Sequence, residues 1–172
     1  MSKDAMRLVA VNTLLLAFLL PLAVQAKSSD RNAPMDVEAD QTDAMLGDDS
    51  DSVLTGNVRI TQGSLKVVAD KAVIERKAGD ISRVILTGAP ATMQQVSDTG
   101  EKMDARAQQI VYTLTSDLIV LTGGVVIQQP RGNMRGESVK YDIGSGRLDG
   151  GGDGSRVQMR ILPKNKTPDG SN

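Results

Sequence analysis

The sequence has no cysteine, no histidine and no tryptophan in its 172 residues. Without thiol or imidazole there is no cysteine nucleophile, no Ser-His-Asp triad and none of the usual zinc or haem ligand sets. No disulfide is available to staple the fold. Phe18, Tyr112 and Tyr141 are the only aromatic residues, too few to build a stacking platform for bases or sugar rings. A basic surplus is missing as well. The formal net charge is −1, whereas a binder of phosphate backbones carries a positive patch or stripe. No nucleic acid partner is expected. No phosphate-cradling or dinucleotide-binding glycine motif is present, and no segment sustains the 3.6-residue apolar period of an amphipathic helix.

The one long apolar run lies at the start. Met1–Arg7 carries Lys3 and Arg7, Leu8–Val24 is mostly apolar, and Val24-Gln25-Ala26 places small residues at −3 and −1. This pattern reads as a secretory signal peptide, residues 1–26, cleaved after Ala26. The alternative is an uncleaved anchor, against which stand the short run and its interruption by Asn12 and Pro21. Cleavage would remove Lys3, Asp4 and Arg7, leaving 18 basic and 20 acidic residues in an exported chain. Residues 27–33 read as a flexible lead and residues 34–162 as one domain. Residues 163–172, polar and with two prolines, read as a disordered tail.

Within the domain one phrase occurs three times. Leu54-Thr55-Gly56-Asn57-Val58-Arg59-Ile60 returns as Leu86-Thr87-Gly88-Ala89-Pro90-Ala91-Thr92 and as Leu121-Thr122-Gly123-Gly124-Val125-Val126-Ile127. The first and third copies stay in register at a constant offset of 67 positions, which also carries Ala69-Asp70-Lys71 onto Gly136-Glu137-Ser138. Internal repetition signals stacked units that share a core. Between Gly- and Asx-containing turns the chain alternates apolar and polar residues, as half-buried strands do. The segments are long for strands, and each holds a glycine or a small-polar pair near its middle, the mark of a bulge or bend. A segment bent once serves two sheets. The expected fold is all-β: a jelly roll or open sandwich of bent antiparallel strands, open at both ends. Its free edges would be Met35–Asp40 and Arg156–Leu162.

The inward side of this arrangement is the candidate site. Val58 and Ile60, Ile74, Ile110 with Tyr112 and Leu114, Val125 with Ile127, and Tyr141 share one aliphatic face. One reading is an ordinary packed core. The other is a groove that accepts acyl chains, because no charged side chain projects into it. For metals, Asp48-Asp49-Ser50-Asp51 and Gly150–Gly154 lack the spaced oxygen ligands of a dedicated calcium loop, and none is assigned. No catalytic residues and no cofactor are assigned either. Three functions compete on these features: a lipid-conducting bridge, a structural adaptor with a filled interior, and a glycan-cleaving enzyme, for which no carboxylate pair is visible.

The phrases themselves resemble a known family. Leu54-Thr55-Gly56-Asn57-Val58-Arg59-Ile60-Thr61-Gln62-Gly63, Ala69-Asp70-Lys71-Ala72-Val73 and Gly88-Ala89-Pro90-Ala91-Thr92-Met93 match it in order. So do Gly136-Glu137-Ser138-Val139-Lys140-Tyr141-Asp142 and, near the mature start, Met35-Asp36-Val37-Glu38-Ala39-Asp40-Gln41. Over roughly residues 34–162 the chain resembles the OstA-like (LptA) family of periplasmic lipopolysaccharide-export bridge proteins. The resemblance implies a twisted jelly roll whose interior holds the acyl chains of lipopolysaccharide. It implies head-to-tail self-association through edge strands. It also implies pairing with an LptC-like inner-membrane protein and with the N-terminal domain of an LptD-like outer-membrane protein. Carried over by motif, Met35, Val37, Met93, Tyr112 and Leu114 would touch lipid.

Overall fold

Turn chemistry and alternation build one continuous antiparallel sheet. The computed structural model describes residues 30, 32–44, 47, 49–97, 99–151 and 154–163. The segment read as leader, most of the lead and all of the tail but Pro163 lie outside the described residues. The strands are β1 (Met35–Glu38), β2 (Gln41–Ala44), β3 (Ser52–Gln62), β4 (Leu65–Lys77), β5 (Asp80–Val96), β6 (Lys102–Thr113), β7 (Leu118–Gln129), β8 (Gly132–Asp142), β9 (Arg147–Gly150) and β10 (Gln158–Ile161). A 3-10 turn, Leu114–Ser116, joins β6 to β7. The main path is β1-β3-β4-β5-β6-β7-β8-β10, with β2 also on β3 and β9 also on β8. The first and last strands do not meet, so the sheet is open, as expected.

Every long strand breaks register at the same level. The breaks fall at Thr55/Val58 in β3, Val68/Lys71 in β4, Thr87/Ala91 in β5, Arg106/Gln109 in β6 and Thr122/Val125 in β7. Together they form a crease running across the strands. On one side lie β1, β10 and the halves of the long strands that carry Val58–Gln62, Leu65–Ala69 and their neighbours. On the other lie β2, β9 and the remaining halves.

The three-copy phrase is the crease. In the first and third copies Gly56 and Asn57 (φ +79° and +45°), and Gly123 and Gly124 (+83° and +58°), take left-handed backbone. The middle copy bends through Gly88-Ala89-Pro90, with a cis Ala89–Pro90 peptide. The bends free backbone donors from the ladder, and the small-polar pairs on the neighbouring strands supply acceptors for them. Asp70 Oδ2 accepts from the Ala89 amide at 3.1 Å, and Glu137 Oε2 accepts from that of Gly124 at 3.4 Å. Asp40, between β1 and β2, donates its backbone N–H to Gly56 O at 2.9 Å and accepts from Asn57 Nδ2 at 2.8 Å.

Folding along the crease turns two apolar faces toward each other. Twenty-five buried hydrophobic residues from both halves form one core cluster, so the interior is shared and not split into two cores. In β4, β5, β6 and β8 the buried positions change parity across the crease, from Leu65, Val67 and Ala69 to Ala72 and Ile74 in β4, for example. That odd step is what a bulge does: it re-aims the next half-strand. The hairpin tips of both halves then lie on the side opposite the crease, forming a long lip.

Candidate lipid groove

The ladder register aligns the interior into rows that cross the whole sheet. One row reads Val37, Ile60, Val67, Met93, Ala105, Ile127, Met134, Met159, one residue from each strand of the main path. In the other half, Ile74, Val84, Tyr112, Ile119, Tyr141 and Leu148 form a second row. Neither row holds a charged side chain. At the usual strand spacing, eight strands span about 35 Å, so the apolar path runs across the strands from one free edge to the other.

The twelve candidate positions are all buried or half-buried. Val58, Met93 and Ile110 are fully buried, and Ile60, Ile74, Tyr112, Val125, Ile127 and Tyr141 are buried with them. Met35 and Val37 are half-buried on the edge strand β1, and Leu114 is half-buried in the 3-10 turn; all three pack against the core. The two faces close on each other, so side chains fill the space between them. The sequence reading missed about as many equivalent positions, among them Leu86, Met103, Ile119, Leu121 and Met134. Their signal was present as alternation, but for Leu86, Met103 and Met134 the parity change at the crease hid which face they join.

Polar groups in the interior gather at the lip. Tyr112 Oη and Gln62 Oε1 lie 3.4 Å apart, and Gln62 Nε2 donates to Ala33 O at 3.3 Å. Asp30 is buried beside them, accepts a hydrogen bond from Ser64 Oγ and sits against Gly63, where a side chain would collide with it. The Tyr141 hydroxyl is held above its ordinary value, chiefly by burial and then by the charges of Asp142 and Asp30. Lower on the same rim, the Asp142 carboxyl is held below its ordinary value by hydrogen bonds from the Ser145 backbone and hydroxyl.

Cavities lie around this body among the described residues. One of about 790 Å³ lies along the crease beside Gly88, Pro90, Arg106, Gln108 and Gly123, and one of about 270 Å³ lies near Thr92, Gln94, Asp104 and Arg106, largely on the outer face. A third, about 170 Å³, opens at the β10 edge among Ile127, Met134, Leu148, Met159 and Ile161, and so leads onto the first apolar row. Among the described residues no cluster of three or more His, Cys, Asp or Glu side chains is placed to hold a metal. Asp49, from the acidic loop, serves the β4–β5 turn by accepting from the Ala78 amide at 2.8 Å.

A sheet folded once on a crease, open at both edges and apolar from one edge to the other, defines an open jelly roll of the OstA-like type. Comparison with known proteins agrees. Residues 36–147 match the family model described as LptA/(LptD N-terminal domain) LPS transport protein. The chain is 32% identical to lipopolysaccharide export system protein LptA of Escherichia coli K12, over 94% of this chain and 87% of that protein. It is also 32% identical to the LptA of Haemophilus influenzae, over 92% of this chain and 95% of that one. The crystal structure of LptH, the LptA-homologous periplasmic component of the lipopolysaccharide transport device of Pseudomonas aeruginosa, superposes with a TM-score of 0.71. It has 27% identity and covers 78% of this chain and 99% of that one. The chain therefore belongs to the LptA/LptD N-terminal-domain family of lipopolysaccharide transport proteins.

Proposed function

We propose that this protein is a segment of a periplasmic bridge that carries lipopolysaccharide from the inner to the outer membrane, holding its acyl chains between the two inner faces. The observation that carries this reading is the uncharged row from Val37 to Met159, which runs between two free edges. Exposed acyl chain costs about 0.8 kcal/mol per CH₂. A chain of a dozen carbons is thus held back from water by about 10 kcal/mol, and a continuous apolar path removes that barrier without local energy input. The twelve inner positions from Met35 to Tyr141 form the contact set. To admit lipid the halves part about the crease, and the flexible methionines Met93, Met134 and Met159 refill the space around it.

The chain acts without catalysis. Residues 1–26 serve as a cleaved export signal, residues 27–33 as a lead, 34–162 as the carrier domain and 163–172 as a tail. Its edges join other copies head to tail, an LptC-like protein at the inner membrane and the N-terminal domain of an LptD-like protein at the outer. The family description, which unites LptA with the LptD N-terminal domain, supports a shared mode of joining.

A photo-crosslinking amino acid at Tyr112 tests the reading in cells. Adducts with lipopolysaccharide are expected there and not at Arg106, whose side chain lies on the outer face. The closed interior favours one rival, an adaptor whose core is merely packed. Absence of an adduct at Tyr112 in a protein that still supports growth would select that rival.

A further inference from the structure

The repeated phrase ends alike in all three copies. Leu54-Thr55-Gly56 leads to Gln62, Leu86-Thr87-Gly88 to Gln95 and Leu121-Thr122-Gly123 to Gln129. After each bend the strand runs apolar, apolar, amide at alternate positions. The sets are Val58, Ile60, Gln62 in β3, then Ala91, Met93, Gln95 in β5, then Val125, Ile127, Gln129 in β7. Alternate residues share a face, and the apolar members of each set are buried. The three glutamines therefore stand on the inner face, at its lip. The ladder sets them at one level: Gln62 lies opposite Leu65, Gln95 opposite Met103 and Gln129 opposite Gly132. One step nearer the crease, Lys66 pairs with Gln94 and Asp104 with Gln128. The inward glutamines thus recur on every second strand, about 10 Å apart.

Their surroundings differ. The Gln62 amide is engaged by Tyr112 Oη and Ala33 O. Gln95 is 5% exposed, and its Oε1 finds no hydrogen-bond partner among the described residues. A buried carbonyl without a donor costs stability, a penalty that leucine in its place would not carry. Gln129 is exposed and lines the cavity of about 170 Å³ at the β10 edge, together with Ile127 and Met134. Where the interior opens, an amide stands at the mouth and aliphatic side chains lie below it.

Resting on the bridge reading above, we propose that Gln62, Gln95 and Gln129 form an amide rail that binds the junction between headgroup and hydrocarbon chain of the cargo, accepting hydrogen bonds from N–H or O–H groups there. The rail sets how deep each chain lies. A chain held at it places its first carbons against Ile60, Met93 or Ile127 and the rest toward the crease. The chemistry selects the junction. A glutamine amide donates and accepts and carries no charge, so it works inside a closing groove without a buried counterion. The unpartnered Gln95 carbonyl requires a donor, which an amide-linked or hydroxylated chain supplies and a plain ester does not. Because the same amide recurs on every second strand, cargo moving along the lip exchanges like for like.

Two simple amphiphiles test the rail by calorimetric titration below their micelle concentrations. N-dodecanoylglycine has an amide N–H at the junction, and N-dodecanoylsarcosine differs only in the methyl group that replaces that hydrogen. The parent should bind the first about fivefold more tightly. Gln95→Leu and Gln129→Leu should each lower that preference, and the double variant should bring it to about one. Gln94→Leu, on the exposed outer face beside Gln95, should leave it unchanged. Without ligand, Gln95→Leu should melt at a higher temperature than the parent, because the unpartnered buried carbonyl is gone. A lower melting temperature would mark Gln95 as a packing residue and overturn the proposal, as would a double variant that keeps the preference. A parent that binds lipopolysaccharide but treats the two amphiphiles alike would overturn the rail and leave the bridge reading standing. A parent that binds neither amphiphile nor lipopolysaccharide would overturn the bridge reading, and the rail with it.

Discussion

Tyr112 and Gln62, fifty residues apart in sequence and on opposite halves of the folded sheet, meet side chain to side chain at 3.4 Å. This contact sits at the lip, where water can reach a parted interior. Its length marks it as a clasp of modest strength that can be released.

Tyr112→Phe should therefore weaken the fold only slightly. A net cost of about 1 kcal/mol is expected, since the hydroxyl is lost and the buried Gln62 amide loses one partner. Thermal unfolding of the exported form would measure it. A cost above about 3 kcal/mol would mean that the hydroxyl holds the halves shut in a way the geometry does not account for.

Ile110 lies in β6 with no exposed surface. Ile110→Ala should cost about 2–5 kcal/mol, the range for emptying a closed core. Ile110→Glu and Ile60→Glu place an unpaired carboxylate between apolar faces, so unfolding or loss of lipid binding is expected. Denaturant titration and lipopolysaccharide binding of each variant provide the check, and normal behaviour in both would reverse the assignment of inner and outer faces.

Gly123 and Gly136 occupy adjacent strands at the crease but differ in backbone. Gly123 is at φ +83°, and a Cβ there would come within 2.7 Å of the Gln108 side chain. Gly136 is not among the positive-φ glycines, and a Cβ there meets nothing nearer than Val157 at 3.5 Å. Gly123→Ala should thus cost at least about 1 kcal/mol, and Gly136→Ala should be close to neutral. Equal melting temperatures for the two variants would contradict the crease geometry.

Tyr141 gives the fold an alkaline limit. Its folded-state pKa is raised above the ordinary 10.0, first by burial and then by Asp142 and Asp30. The native state therefore holds this proton more tightly than the unfolded chain. The associated stability is complete below the unfolded value and is lost as pH rises through the folded one. In a Tyr112→Phe background, Tyr141 is the only tyrosine left, so ultraviolet titration reports it alone. Ionisation at a higher pH in native than in denatured protein is expected, and coincident curves would refute the buried placement.

The turn after β8 should respond in the opposite sense. Asp142 is held below its ordinary value by hydrogen bonds from Ser145, first backbone and then side chain. Its contribution is present above the unfolded pKa and fades as pH falls through the folded one. Asp142→Asn should flatten the acid side of the stability profile of the 142–147 turn, as read by amide exchange of the Ser145 N–H.

Much of this was legible in the residues. The turns from Gln62-Gly63-Ser64 to Gly144-Ser145-Gly146, the bends at the repeated phrase and the inward residues from Val58 to Tyr141 follow from short-range alternation and turn chemistry. β2 and β9 were not legible. Gln41–Ala44 and Arg147–Gly150 carry no apolar alternation and are strands only because β3 and β8 offer them free edges. Asp70 and Glu137 could be read as interruptions, but their work as acceptors depends on which strand lies beside them. The burial of Asp30 and the Tyr112–Gln62 contact join distant parts of the chain that no local pattern brings together.

For lipid carried as proposed, the inner row from Val37 to Met159 has a kinetic consequence. It repeats at the strand spacing of about 4.8 Å, and a hydrocarbon tail shifted by one strand exchanges one aliphatic neighbour for another. No side chain along the row offers a tether, so the free-energy profile is close to level. A level profile has no preferred direction. Traffic along it behaves as a queue, advancing when cargo is pushed in at the crowded end and removed at the empty one, and throughput is set at the two ends instead of along the way.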